Sequence, residues 1–282
     1  MQSSPFPRPF PSAALSILAA GAVFLTSLPA AAAVGAWVEG AKARIRLVGE
    51  RADPAGALSA AIEIELPPGW KTYWRSPGDA GIAPVADFSG STNVGPVEVS
   101  FPVPARADDG YTVTNVYTVD AVLPLAAPVT DASAPSHLAV KLDIGVCEEV
   151  CVPDHFEAGL DVPPGNDAAA AKIIAEAKTK LPGPPEPGIF AVDAIVRNGG
   201  TDKRPAFDIK AIVPDSATAF VFAEGPPDWF PDVPKLIATE DGKAVYRVTF
   251  DRLTAKTPLA GASLRVTIAS GARAIEQTVK LD

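Results

Sequence analysis

The sequence predicts an all-β protein built as two antiparallel sandwich-like blocks with one helix between them. Three observations carry that reading. Apolar residues recur with a period of two in many short runs. Thirty prolines and 22 glycines among 282 residues punctuate those runs, with no Gly-x-y repeat. One segment, near the middle of the chain, carries a helical signature.

Residues 1–33 read as an export signal that is removed. Arg8 and the α-amino group supply a positive start, and Ala13 to Leu28 an apolar stretch. Pro29-Ala30-Ala31-Ala32-Ala33 then offers the small side chains that a signal peptidase accepts. Cleavage is expected after Ala33 or Ala36, and no cysteine follows the stretch that would carry a lipid. No later window reaches about 18 continuous apolar residues, so the mature chain is expected not to span a membrane.

The first block, residues 34–163, opens with Ala41, Ala43, Ile45 and Leu47 alternating with Lys42, Arg44 and Arg46. Leu58, Ala60, Ile62, Ile64 and Leu66 repeat the pattern with Glu63 and Glu65 outward, and Pro67-Pro68-Gly69 stops it. Further runs are Val97 to Phe101, Tyr111 to Leu125, Leu138 to Val146 and Phe156 to Val162. Residues 164–187 form a joint: Asp167 caps a helix running to Leu181, lysines favour its end, and Pro182-Gly183-Pro184-Pro185 terminates it. The second block, 188–282, has strand-like runs at Phe190–Val196, Phe207–Val213, Ala219–Ala223, Ala244–Phe250, Leu264–Ala269 and Ala274–Leu281. The last two are expected to pair across Ser270-Gly271.

The formal charge is −9, and because Arg8 is the only charged side chain before Val34, a cleaved product would carry −10. That balance argues against nucleic-acid binding and against adhesion to anionic lipid. No Gly-x-Gly-x-x-Gly, Walker loop or serine elbow occurs, so nucleotide and hydrolase sites lack support. No organic cofactor and no metal is expected.

Chemistry concentrates at Val146-Cys147-Glu148-Glu149-Val150-Cys151-Val152-Pro153-Asp154-His155. In a straight strand the two cysteines would lie about 13 Å apart at Cα, whereas a disulfide needs roughly 4.4–6.8 Å. Pairing therefore requires a bend, and Glu148-Glu149-Val150 suits a tight hairpin or a single helical turn. Three readings stay open. A structural disulfide across so short a loop restricts the unfolded chain by only about 2 kcal/mol. A redox pair would open and close by exchange with a partner, which export permits. Metal binding by Cys147, Cys151 and His155 would need His137 from elsewhere to complete a tetrahedral set. Glu148, Glu149 and Asp154 are expected to oppose thiolate formation.

The cysteine segment follows an apolar strand, and upstream stands Pro68-Gly69-Trp70-Lys71-Thr72-Tyr73-Trp74-Arg75-Ser76-Pro77-Gly78-Asp79-Ala80-Gly81. Together these resemble the periplasmic N-terminal domain family of the thiol:disulfide interchange protein DsbD, and more closely its ScsB-like branch. The resemblance covers most of residues 37–163 and extends more loosely through the second block. It implies an immunoglobulin-like sandwich in the periplasm. Its pair, Cys147 and Cys151, would take electrons from a thioredoxin-like or membrane donor and pass them to periplasmic disulfide proteins. Asp108-Asp109-Gly110-Tyr111 resembles the family's covering loop, which implies Asp108, Asp109 and Tyr111 beside the sulfurs. The family pattern has phenylalanine where Gly110 stands and a C-x5-C spacing, so the cap is expected to be absent or built from another residue. The sequence shows neither a membrane electron-transfer domain nor a thioredoxin-like domain, so separate partners are expected.

Trp70, Tyr73 and Trp74 follow a strand and are candidates for a partner surface or for the end of the core. Trp229 and Phe230 pose the same choice in the second block. The reading is a protein-disulfide reductase component; the alternative is a non-enzymatic interaction module with a permanent disulfide.

Overall fold

The computed structural model describes residues 1–2, 33–51 and 57–282, so the expected export signal lies outside the described residues except at Met1, Gln2 and Ala33. The first β-rich lobe contains β1 (Val38–Glu39), β2 (Arg44–Glu50), β3 (Leu58–Glu65), β4 (Lys71–Gly78), β5 (Val85–Asp87), β6 (Glu98–Val99), β7 (Ala105–Asp108), β8 (Val113–Tyr117), β9 (Ala121–Ala127), β10 (Ser136–Cys147) and β11 (Cys151–Val162). A helix, α1 (Ala168–Lys178), follows. The second lobe contains β12 (Ala191–Thr201), β13 (Arg204–Ile212), β14 (Phe220–Glu224), β15 (Phe230–Pro231), β16 (Lys235–Glu240), β17 (Lys243–Asp251), β18 (Ser263–Ser270) and β19 (Arg273–Lys280). Both lobes belong to one compact unit, Ala31–Asp282.

In the first lobe one sheet has the order β1-β2-β3-β9-β6 and the other β11-β10-β4-β8-β7, with β5 alongside β10. The alternation read in the sequence sets the β2–β3 register. Ile45 faces Ile64 and Leu47 faces Ile62, while Arg44 lies opposite Glu65 and Arg46 opposite Glu63. The apolar pairs enter a core shared with Trp74, Leu138, Leu142 and Ile144 of the second sheet. The charged pairs bond on the other face, Arg44 to Glu65 at 2.7 Å and Arg46 to Glu63 at 2.5 Å, where solvent screening leaves such pairs little weight in stability.

Asp167 caps α1 by accepting from the amides of Ala169 and Ala170. The helix does more than join. Ala170 and Ile174 pack with Ala33, Val48 and Ala61, so its buried face closes the outer side of the β2–β3–β9 sheet. The proline-rich segment after it pairs with the second lobe: Gly183 donates to Ala274 O at 2.9 Å, and Glu276 donates back to Gly183 O at 2.9 Å.

The second lobe pairs β12-β13-β17-β15, with β16 beside β17, and separately β14-β18-β19. Hairpin β18–β19 closes on Ser270 and Arg273, with Gly271 at φ +60°. Phe207, Phe250 and Trp229 fill its core, whereas Phe230 is exposed.

The lobes share buried contacts. Phe222 of β14 enters the first lobe's core, its ring 5.3 Å from that of Trp74. Arg75 lies over the Trp74 ring and donates to Glu224 at 2.8 Å and to Glu276 at 2.5 Å. Burial alone would lower the Arg75 pKa, but the bonds and charges of the two glutamates outweigh it and hold the guanidinium charged. Arg106 donates to Val221 O at 2.8 Å and stacks on Phe222.

Several sequence expectations need correction. Tyr111 to Leu125 is not one strand: β8 and β9 belong to different sheets, and the chain turns at Asp120, whose carboxylate accepts from the Leu66 amide. Val97 to Phe101 shrinks to two paired residues, Glu98 and Val99. Strands β4, β7 and β16 stand outside the strand-like runs read from the sequence.

Tyr117, buried in the first core, donates its hydroxyl to Pro102 O at 2.8 Å, and burial raises its pKa far above the ordinary tyrosine value. Burial also raises Tyr73 and Tyr246. The unfolded phenols ionise near pH 10 while the folded ones resist, so this stability is fully present below about pH 10 and is lost as pH climbs above it. Tyr117→Phe is expected to cost about 1 kcal/mol at neutral pH through the lost bond. It should also flatten the alkaline decline, as read from urea midpoints between about pH 8 and 11; an unchanged alkaline slope would exclude Tyr117 as its source.

Candidate functional site: a disulfide at a hairpin tip

Strands β10 and β11 pair without a break from Ser136–Val162 to Cys147–Cys151. The two cysteines are therefore the closing pair of a long hairpin, with Glu148-Glu149-Val150 as its crown. Their Cα atoms lie 4.1 Å apart and the sulfurs are bonded. Of the two bends the sequence allowed, the chain takes the hairpin.

The cysteines sit in different surroundings. Cys147 has β11 on one side and β4 on the other, facing Lys71, and is only 1% exposed. Cys151 is exposed. Thr72 secures the β4 edge through a buried 2.9 Å bond from its hydroxyl to Gly145 O.

One polar side chain reaches both sulfurs. The Tyr73 hydroxyl lies 3.2 Å from Cys147 Sγ and 3.2 Å from Cys151 Sγ. In the disulfide neither sulfur carries a proton, so the phenol is the donor. Burial raises the Tyr73 pKa, which keeps that proton on the oxygen. Its ring packs with Val116, Ala107 and Cys147 in a small cluster separate from the main core.

The other candidates fall elsewhere. Asp108 accepts from the Gly110 amide, and Asp109 from the amides of Tyr111 and Thr112. The bonds from Thr112 and Tyr111, helped by the more distant charge of Lys71, hold Asp109 below the usual carboxylate range. These carboxylates shape the turn between β7 and β8, and Tyr111 is 96% exposed. Tyr73 and Trp74 are buried, so neither offers a surface to a partner. Trp70 is half-buried against the core with Lys42 over its ring.

Asp154 also departs from expectation. It is buried and turned toward the β1–β2 connection, where it accepts from the amides of Ala41, Lys42 and Ala43 at 2.7–2.9 Å. Its charge therefore serves backbone donors, and the acidic groups at the sulfurs are Glu148 and Glu149, both exposed. His155 pairs with Asp143 and His137 with Asp161. Among the described residues no group of three or more His, Cys, Asp or Glu is placed to hold a metal ion.

The contact from Tyr73 is hard to see in the sequence because Trp70, Tyr73 and Trp74 come after Pro67-Pro68-Gly69, which ends the preceding strand pattern. A period-two signal was present: Thr72 and Trp74 are buried toward one side, Lys71 and Tyr73 belong to the other.

Fold and site together define a mostly β, two-lobed protein bearing an intramolecular disulfide with one exposed cysteine. Residues 46–158, which include both cysteines and Tyr73, match the family model described as thiol:disulfide interchange protein DsbD, N-terminal. In structure the chain is similar to the N-terminal periplasmic domain of ScsB from Proteus mirabilis, with a TM-score of 0.68 and 21% identity over 88% of this chain and 98% of that one. At that identity the likeness is one of fold. No curated protein matches the chain in sequence. The chain thus carries a DsbD N-terminal-like segment with a disulfide-forming pair. Among the described residues no helix is long and apolar enough to cross a membrane.

Proposed function

We propose that the protein is an exported thiol–disulfide exchange module of the periplasm. It relays reducing equivalents from a thioredoxin-like or membrane-bound dithiol donor to periplasmic disulfide proteins through Cys147 and Cys151. In this reading residues 1–33 are a cleaved leader, and residues 34–163 form the redox domain. Residues 188–282 form a second domain; both are immunoglobulin-like sandwiches, joined by 164–187. The observation that carries it is the asymmetric disulfide: Cys151 exposed, Cys147 buried, and a phenol in contact with both.

The steps follow from that asymmetry. A donor thiolate attacks Cys151 Sγ, the Cys147–Cys151 bond breaks, and Cys147 leaves as a thiolate that accepts a hydrogen bond from Tyr73. The donor's second thiolate then attacks the donor sulfur of the mixed disulfide, releasing reduced Cys151 and the oxidised donor. In the second half, the Cys151 thiolate attacks an acceptor disulfide and expels one acceptor thiolate. Cys147 then attacks Cys151 Sγ, restoring the original bond and releasing the second acceptor thiolate. Two electrons pass in each half.

Cys147→Ser leaves Cys151 free to hold a partner and removes the sulfur that would release it. Expressed in the periplasm, this variant is expected to accumulate covalent adducts seen on non-reducing gels and dissolved by dithiothreitol, whereas Cys151→Ser is not. Absence of adducts from both variants would leave a disulfide that serves the fold alone.

A further inference from the structure

Tyr73 could turn away from the sulfurs unless something held its ring in place. The segment that follows β4 does so. It leaves the strand at Gly78, where φ is +90°. Asp79 ties it to β8: its amide donates to Val113 O at 3.0 Å, and its carboxylate accepts from the Val113 amide at 2.9 Å. The main chain at Gly81, φ +125°, then lies close against the Tyr73 ring. A methyl group there would fall 2.5 Å from Cδ1 and 2.8 Å from Cζ. Only glycine combines that backbone angle with that clearance. Ile82 comes down on Gly145, two residues before Cys147, so closely that a Gly145 Cβ would stand 2.9 Å from Ile82 Cβ. The chain rejoins the sheet as β5, along Lys141 to Asp143 of β10.

We infer that Asp79–Ile82 is a positioning strap, with Gly81 as the residue that seats the Tyr73 hydroxyl against the disulfide. The strap replaces the β7–β8 turn as the cover of this site, since a methyl group at Gly110 would meet open space and Tyr111 faces solvent. It acts through Tyr73, and so governs how readily the Cys147 thiolate departs. The inference deepens the exchange reading and rests on it for its biological meaning. Its physical content is reactivity toward a small thiol, which needs no protein partner, so failure to trap adducts and failure of the strap are separate results.

The test is the rate of reduction of the full chain's disulfide by dithiothreitol across pH, for wild type, Gly81→Ala, Tyr73→Phe and the double variant. Gly81→Ala is expected to slow reduction about tenfold, the effect of one hydrogen bond to a developing charge. It should also raise the pH at which the Cys147 thiol of the reduced protein ionises, read from ultraviolet thiolate absorbance. In the Tyr73→Phe background, which already lacks the hydroxyl, the same substitution should change the rate less than about twofold. An unchanged rate in Gly81→Ala, or an equal slowing with and without the hydroxyl, overturns the inference. Circular dichroism checks the fold. If Gly81→Ala does not fold, Ile82→Ala decides: loosening the landing on Gly145 should slow reduction about threefold with Tyr73 present and leave the Tyr73→Phe rate unchanged. A wild-type rate in Ile82→Ala also overturns it.

Discussion

Arg75→Ala is expected to lower the unfolding free energy by about 3–4 kcal/mol, the range for removing one partner of a buried ion pair with some remaining exposure. The side chain is 14% exposed, and its two partners, Glu224 and Glu276, are 16% and 27% exposed. Truncation leaves Glu224 without its cation and Glu276 with only the more distant Arg265, 3.9 Å away. It also uncovers the faces of Trp74 and Phe101, over which the guanidinium lies. Arg75→Lys should recover less than half of the loss, because an ammonium cannot fork to both carboxylates as a guanidinium does. Adding Glu224→Gln and Glu276→Gln to Arg75→Ala should restore part of the stability by removing the stranded charges. Urea unfolding at neutral pH measures all of these, and a loss below about 1 kcal/mol would mean that the ion pairs contribute no more than surface pairs do.

Tyr73→Phe is expected to slow exchange about tenfold while costing less than about 1 kcal/mol of stability. The ring, which packs with Val116, Ala107 and Cys147, remains; only the donor to the sulfurs goes. A hydrogen bond to a thiolate stabilises the charged form, and a better-stabilised leaving thiolate departs faster. The Cys147 thiol of the reduced protein should accordingly ionise up to about one pH unit higher than in wild type. Reduction by dithiothreitol at one pH reads the rate, and the ultraviolet thiolate absorbance of the reduced protein from about pH 6 to 10 reads the ionisation, since that range brackets the free thiol's titration. An unchanged rate and an unchanged thiol titration would show that the hydroxyl makes its contact without aiding the chemistry.

What the sequence revealed, and what it withheld, follows a physical division. Strands β2 and β3 were legible because each has one apolar face and one charged face, and Arg44–Glu65 and Arg46–Glu63 turned out to be direct neighbours. The helix was legible from its Asp167 cap and its proline stop. Strand β4 was not, because its aromatic residues and its Pro77-Gly78 ending obscure the alternation of Thr72 and Trp74 against Tyr73. At the site, four intervening bonds of sequence told that Cys147 and Cys151 must bend to meet. The sequence could not tell which sulfur would be sheltered, because that depends on β4, a strand distant in the chain, lying beside Cys147 and not beside Cys151. Asp154 and Tyr111 show the same limit. Proximity along the chain placed one beside the thiols, and resemblance placed the other, whereas pleat direction and turn geometry carried both elsewhere.

The contrast between the two cysteines has a consequence for traffic. Under the exchange function proposed above, a single open sulfur would make donor and acceptor queue for one berth, neither arriving until the other has left. The protein would then work as a turnstile, carrying its two electrons in the interval between guests, its pace set as much by departure as by chemistry.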